Sequence, residues 1–169
     1  MGGNTREFSV RAATQADVAA IGWLGASLVR LHHEFDPRRF MSATSRTEEG
    51  YGGFIGTQID EPDVIVLVAE RAGAVVGYAY AAVEGIDYMS LRGPAGVLHD
   101  VVVDSGHRGQ GVGRMLLDAA LAALEARGVP RVVLNAAERN ETARKFFASA
   151  GFRPTMVEMT RERGGAPGG

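Results

Sequence analysis

The chain has no cysteine among its 169 residues. Disulfide bonds, a thiol nucleophile and a thiolate metal site are therefore excluded, and a reducing, cytoplasmic setting is expected. Long hydrophobic runs are also lacking. The longest clean apolar run, residues 64–69, is far short of the roughly 20 residues that a membrane-spanning helix needs, so no membrane partner is expected. Nor is there an excess of charge: 18 Lys and Arg stand against 20 Asp and Glu, a formal balance of -2 that leaves no basic footprint for nucleic acid. What is abundant is apolar side chain, at 46%, in a length that suits one buried domain and is short for two. Glycine clusters at both ends, so the expected division is a flexible tail at 1–7, a single domain at 8–160 and a glycine-rich tail at 161–169.

The most informative stretch is 97–117, V-L-H-D-V-V-V-D-S-G-H-R-G-Q-G-V-G-R-M-L-L. An apolar strand runs into a glycine-punctuated loop that opens directly into a helix. The first N–H groups of a helix have no intrahelical partner and sit at the positive end of its dipole, so such a junction takes phosphate. Arg108 and Arg114 add formal positive charge. A Walker A loop is excluded, because Gly111 is followed by Val112, Gly113 and Arg114 rather than by Lys and Ser or Thr, and a nucleotide hydrolase loses its basis. The dinucleotide fingerprint also fails, since Arg114 or Leu116 stands where its last glycine is required.

The pattern that fits is Arg108-Gly109-Gln110-Gly111-Val112-Gly113, preceded by V-V-V-D. It resembles the acetyl-CoA motif of the GNAT superfamily of N-acetyltransferases. A later segment, N-E-T-A-R-K-F-F-A-S-A-G-F, is similar to a second stretch of that superfamily through Asn140, Ala143, Phe146, Gly151 and Phe152. Together the two motifs extend the resemblance over most of residues 8–160. It implies an α/β (α+β) fold: a mixed, mostly antiparallel sheet of six to seven strands, flanked by helices, with a central splayed pair of parallel strands. It also implies acetyl-CoA as co-substrate, no metal, a small-molecule or peptide amine as acceptor, and a homodimer formed through edge strands or the C-terminal strand.

Periodicity places the elements. Residues 8–11 alternate as a strand, and Thr14 with Asp17 reads as a capping box. Val18, Ile21, Leu24 and Leu28 then form a helix stripe to about residue 31, and Pro37 stops its continuation. A second, glycine-loosened helix is predicted at 44–59, with Tyr51, Phe54, Ile55 and Ile59 as its apolar members. Runs 64–71 and 75–83 form a hairpin around Ala72-Gly73-Ala74. Leu116, Leu117, Ala120, Leu121 and Leu124 give the helix after the loop. A strand at 131–135, a short helix capped by Asn140 and a last strand at 155–160 complete the reading.

The resemblance assigns roles residue by residue. The amides of Arg108, Gly109, Gln110, Gly111, Val112, Gly113 and Arg114 would hold the pyrophosphate. Val101, Val102 and Val103 would offer backbone groups to the pantetheine arm, with Asn135 and Asn140 flanking it. Phe147 stands where many members carry a tyrosine that protonates the departing sulfur. Phenylalanine has no proton to give, which keeps a catalytically silent acetyl-CoA sensor open as the alternative.

An acceptor amine is mostly protonated at neutral pH and needs a base. His99 and Asp100 are the leading candidates, and strand alternation should send them to opposite faces. His99 is favoured because an ordinary imidazole titrates near neutrality; Glu84 is held in reserve. His32, His33, Arg38 and Tyr88 are candidates for the acceptor wall.

Overall fold

The structure is a computed structural model that describes residues 7–164. Its sheet is organised around one hairpin, β2 (Val64–Arg71) and β3 (Ala74–Glu84). Their β-branched and aromatic residues favour extended backbone. The two-residue turn between them, Ala72 and Gly73 at φ 51° and 80°, has the left-handed conformation that matches strand twist. β1 (Phe8–Ala12) pairs antiparallel with β2, and β4 (Ala95–Val103) pairs antiparallel with β3. β5 (Val132–Leu134) pairs parallel with β4, giving the order β1-β2-β3-β4-β5.

Helices cover both faces. α3 (Val112–Glu125) buries Val112, Leu116, Leu117, Ala120 and Leu124 against Ile65, Ala69, Ala79, Ala81 and Leu98; all but Val112 belong to the predicted stripe, whose remaining member, Leu121, is half-buried at the rim. α4 (Glu141–Ser149) joins the same core through Phe146 and Phe147. On the opposite face α1 (Val18–Phe35) and α2 (Thr47–Gln58) bury Ile21, Leu24 and Ile55 against Val66, Val68, Tyr78, Tyr80 and Val102.

α2 forms close to its predicted limits, but its glycines do not loosen it. Gly52 of α2 and Gly22 of α1 let the two helices touch backbone to backbone: a Cβ on Gly52 would strike the carbonyl of Val18, and one on Gly22 the carbonyl of Glu48, while one on Gly25 of α1 would strike the ring of Tyr51. Tyr51 is thereby laid across α1 and aimed at β4.

The mixed sheet, the flanking helices and the parallel pair agree with expectation. Strand number does not: the described residues form five strands rather than six or seven. The predicted last strand at 155–160 does not form: the segment joins no ladder, and β5, the edge of the sheet, offers only three residues. Met156, Val157 and Met159 are exposed, and Glu158 is drawn instead to Arg39 in an ion pair. Most of the tails expected at 1–7 and 161–169 lies outside the described residues. Among the described residues no helix is long and apolar enough to cross a membrane.

Candidate active site

β4 and β5 are paired only over Gly96–Leu98 and Val132–Leu134. Beyond Leu98, β4 keeps β3 as a neighbour but has no β5 partner, so His99, Asp100, Val101, Val102 and Val103 border an opening in the sheet. The register with β3 slips at the mouth of this opening. Tyr80 lies opposite Asp100 and Ala81 opposite Leu98, leaving His99 as the extra residue of a β-bulge.

The bulge overturns the expected alternation. Leu98 packs into the α3 core, while His99 stacks on Tyr80, 4.9 Å between ring centroids at 23°, and Asp100 reaches Tyr51 and Tyr78. Because Tyr80 and Tyr78 belong to the α1/α2 side, His99 and Asp100 both serve that side rather than opposite ones.

Their surroundings separate their chemistry. His99 Nε2 lies 2.9 Å from Glu84 Oε1, and Glu84 Oε2 accepts from Arg92 at 3.0 Å. A carboxylate only accepts, so Nε2 is the nitrogen that donates to Glu84, and Nδ1 is the one left over. Asp100 is committed differently. One of its oxygens, Oδ2, accepts from the hydroxyls of both Tyr51 and Tyr78, the latter at 2.8 Å. Burial first, then the Asp100 charge, pushes both phenols well above their usual range, so they stay protonated donors at neutral pH. Both hydroxyls thus spend their protons on this one oxygen, which ties Asp100 to the α1/α2 side. Glu84, the reserve base, is the partner that fixes the imidazole.

At the far end of β4 the chain passes through a 3-10 turn at Ser105–His107 into the loop before α3. Gly109 and Gly111 adopt φ 72° and 84°, a conformation that costs a side-chain-bearing residue, and Gly111 caps α3 with no side chain to satisfy the first amides. Those donors fit a phosphate oxygen. The two arginines are turned elsewhere: Arg108 donates to the Val103 carbonyl at 3.1 Å, and Arg114 pairs with Asp118 at 2.8 Å. Gln110 bonds the Gly106 carbonyl at 3.3 Å, and the Val112 side chain is buried core, so what they can offer a phosphate is mainly backbone. Gly113 brings the first turn of α3 against Phe146 and Val103.

Asn135 is exposed just past β5. The side chain of Asn140 is taken up in accepting from the Ala143 amide at 3.0 Å, which caps α4. Phe147 packs between Phe146 and Phe152.

Of the acceptor candidates, His32 lines a cleft with Leu28, Val29, Phe40, Met41 and Tyr51. His33 is tied through Nδ1 to the Phe40 carbonyl at 2.9 Å. Arg38 and Tyr88 are exposed and do not border that cleft. Sequence reasoning missed Arg92 and the polar role of Tyr51, which it counted as apolar stripe. The available signal was the i, i+3 pair Tyr51 and Phe54, which puts two aromatics on one face of α2: Tyr51 on Asp100, and Phe54 edge-on to Tyr80 with centroids 6.1 Å apart.

The described residues thus form a mixed sheet that parts beyond its short parallel pair, with an uncapped glycine loop leading into α3. The chain belongs to the acetyltransferase (GNAT) family, whose model matches residues 26–152. It is 39% identical over 101 residues to a mycothiol acetyltransferase of Thermobispora bispora, a match covering 57% of this chain and 32% of the relative. A mycothiol acetyltransferase of Beutenbergia cavernae is 44% identical over 62 residues, 37% of this chain and 21% of the relative. This chain therefore spans about a third or less of the length of those relatives.

Among solved structures, a tetramutant of a Bacillus halodurans protein superposes with a TM-score of 0.80 at 20% identity, covering 92% of this chain and 99% of that one. An aminoglycoside N-acetyltransferase in complex with CoA superposes with a TM-score of 0.72 at 15% identity, covering 97% and 99%. At such identities the likeness is one of fold.

Proposed function

We propose that residues 8–160 form an N-acetyltransferase that moves the acetyl group of acetyl-CoA to a primary amine of a small molecule or peptide by direct attack in a ternary complex. The observation that carries this reading is the His99–Glu84 pair, 2.9 Å apart, at the mouth of the opening between β4 and β5. It sits upstream, on the same strand, of a loop whose uncapped amides suit a pyrophosphate.

Acetyl-CoA supplies an activated acyl group. The amides from Arg108 to Arg114 bind its pyrophosphate, and the backbone of Val101, Val102 and Val103, free of β5, receives the pantetheine arm. His99 Nδ1 takes the proton from the acceptor ammonium or amine, Glu84 holds the ring in the tautomer that allows this, and Arg92 holds Glu84. Tyr80 fixes the plane of the imidazole by stacking on it. Asp100, Tyr51 and Tyr78 act as a fixed polar floor. Phe147 supplies no proton to sulfur, and none is required, since a thiol of ordinary pKa near 8.5 is a tolerable leaving group. A homodimer would use the free edge of β5 and the unpaired segment 155–160, and size exclusion at several concentrations tests it.

Free thiol release from acetyl-CoA is the test. With a panel of primary amines, release above background for at least one amine is expected. Acetyl-CoA binding without release for any of them would instead support the silent sensor.

A further inference from the structure

The cleft beside this site has a volume of about 180 Å³ and is walled by Leu28, Val29, His32, Phe40, Met41 and Tyr51. Three observations connect it to the chemistry. Tyr51 is at once a wall of the cleft and a donor to Asp100, the residue next to His99. α1, which carries three of the lining residues, packs on β3 and β4. Arg139 donates to the Phe35 carbonyl at 2.8 Å, so the end of α1 abuts the connection that follows β5.

The lining is almost wholly apolar. Its polar members are largely engaged: His32 Nδ1 is 2.9 Å from the Leu28 carbonyl, which leaves Nε2 over, its ring is edge-on to Phe40, and the Tyr51 hydroxyl is on Asp100. Among the described residues no carboxylate and no arginine lines the cleft. Beyond the remaining nitrogen of His32, such a wall offers little to a polyhydroxylated or polycationic acceptor. It does suit an apolar group: a cavity of about 150 Å³ lined by aliphatic and aromatic side chains is enough for benzene.

Resting on the transferase reading above, we infer that the acceptor is a primary amine carrying an apolar group of about benzene size, which this cleft takes while the amine faces His99. Selection then comes from apolar area removed from water, not from ion pairing.

The test compares phenethylamine with ethylamine and ethanolamine, in kcat/KM by thiol release and in direct binding by saturation-transfer NMR. Phenethylamine is expected to be preferred over ethylamine by at least about tenfold, the scale that burying an apolar group provides. Val29→Phe, which fills the cleft, is expected to abolish the preference. If that variant does not fold, Phe40→Ala enlarges the cleft and is expected to shift preference toward bulkier amines such as naphthylethylamine. Equal kcat/KM for the three amines, or a preference unchanged in a folded Val29→Phe, overturns the inference while leaving acetyl transfer standing. Binding of phenethylamine, lost in Val29→Phe, with no thiol release from any amine, sinks the transferase reading and keeps the cleft's apolar selectivity. Absence of phenethylamine binding together with absence of transfer rejects both.

Discussion

Asp17 is the buried charged residue of the described chain, and its environment explains why it is tolerated. It accepts from both terminal nitrogens of the Arg11 guanidinium, at 2.8 and 2.9 Å, and from the Thr14 amide at 2.8 Å. The Arg11 hydrogen bonds are the main reason its carboxyl is held at about 2, below the ordinary carboxylate range. A depressed folded-state pKa stabilises the fold above the unfolded pKa, and that contribution is lost as pH falls from about 4 to about 2. Arg11 is 40% exposed, which screens the pair, so Asp17→Asn should cost on the order of 1–2 kcal/mol near neutrality. Urea denaturation at pH 7 and pH 2.5 checks this: the gap between wild type and variant should narrow at the lower pH. The capping box of Thr14 and Asp17 was legible from residue spacing. Arg11 was not, because the pairing depends on how β1 lies against the turn that follows it. At the active site, Glu84→Gln keeps the shape of the partner but removes its charge. It should lower kcat by at least about tenfold with little change in acetyl-CoA binding by calorimetry.

At the scale of elements, glycine does two different jobs. In α1 it makes room: Gly25 accommodates the ring of Tyr51, so Gly25→Ala should displace Tyr51 from Asp100 and cost about 1–3 kcal/mol in denaturant unfolding. In the loop before α3 it supplies a backbone: Gly111→Ala must hold φ near 84°, and acetyl-CoA should bind about tenfold more weakly by calorimetry, with α3 otherwise intact. The second job was legible, since a strand, a glycine-rich loop and an apolar helical stripe follow one another in sequence. The first was not. A glycine in a helix reads as loosening unless the partner helix is known, and that partner, α2, lies a full connection away in the chain. The bulge at His99 was hidden for a similar reason: a one-residue slip is a relation between β4 and β3, not a property of either. The segment 155–160 failed in the opposite direction, having strand-like residues without a strand to pair with.

At the scale of the whole molecule, the site is an intersection. β3 contributes Glu84 and Tyr80, β4 contributes His99 and Asp100, the connection between them contributes Arg92, and α2 contributes Tyr51. The glycine loop before α3 and the second motif were readable because each is contiguous. Of the cleft proposed for the acceptor, His32 is the wall the sequence singles out, because the others come from α1, α2 and the connection between them and meet only on folding.

The central claim is that this intersection removes a proton from an amine at His99. The most direct measurement is the pH dependence of kcat/KM for thiol release in wild type and His99→Ala, with folding and acetyl-CoA affinity checked for both. The account predicts a fall of about 10²-fold or more in the variant and loss of the acid limb that the wild type shows, since that limb reports protonation of the base. An unchanged rate and an unchanged profile in a folded, acetyl-CoA-binding variant would contradict it.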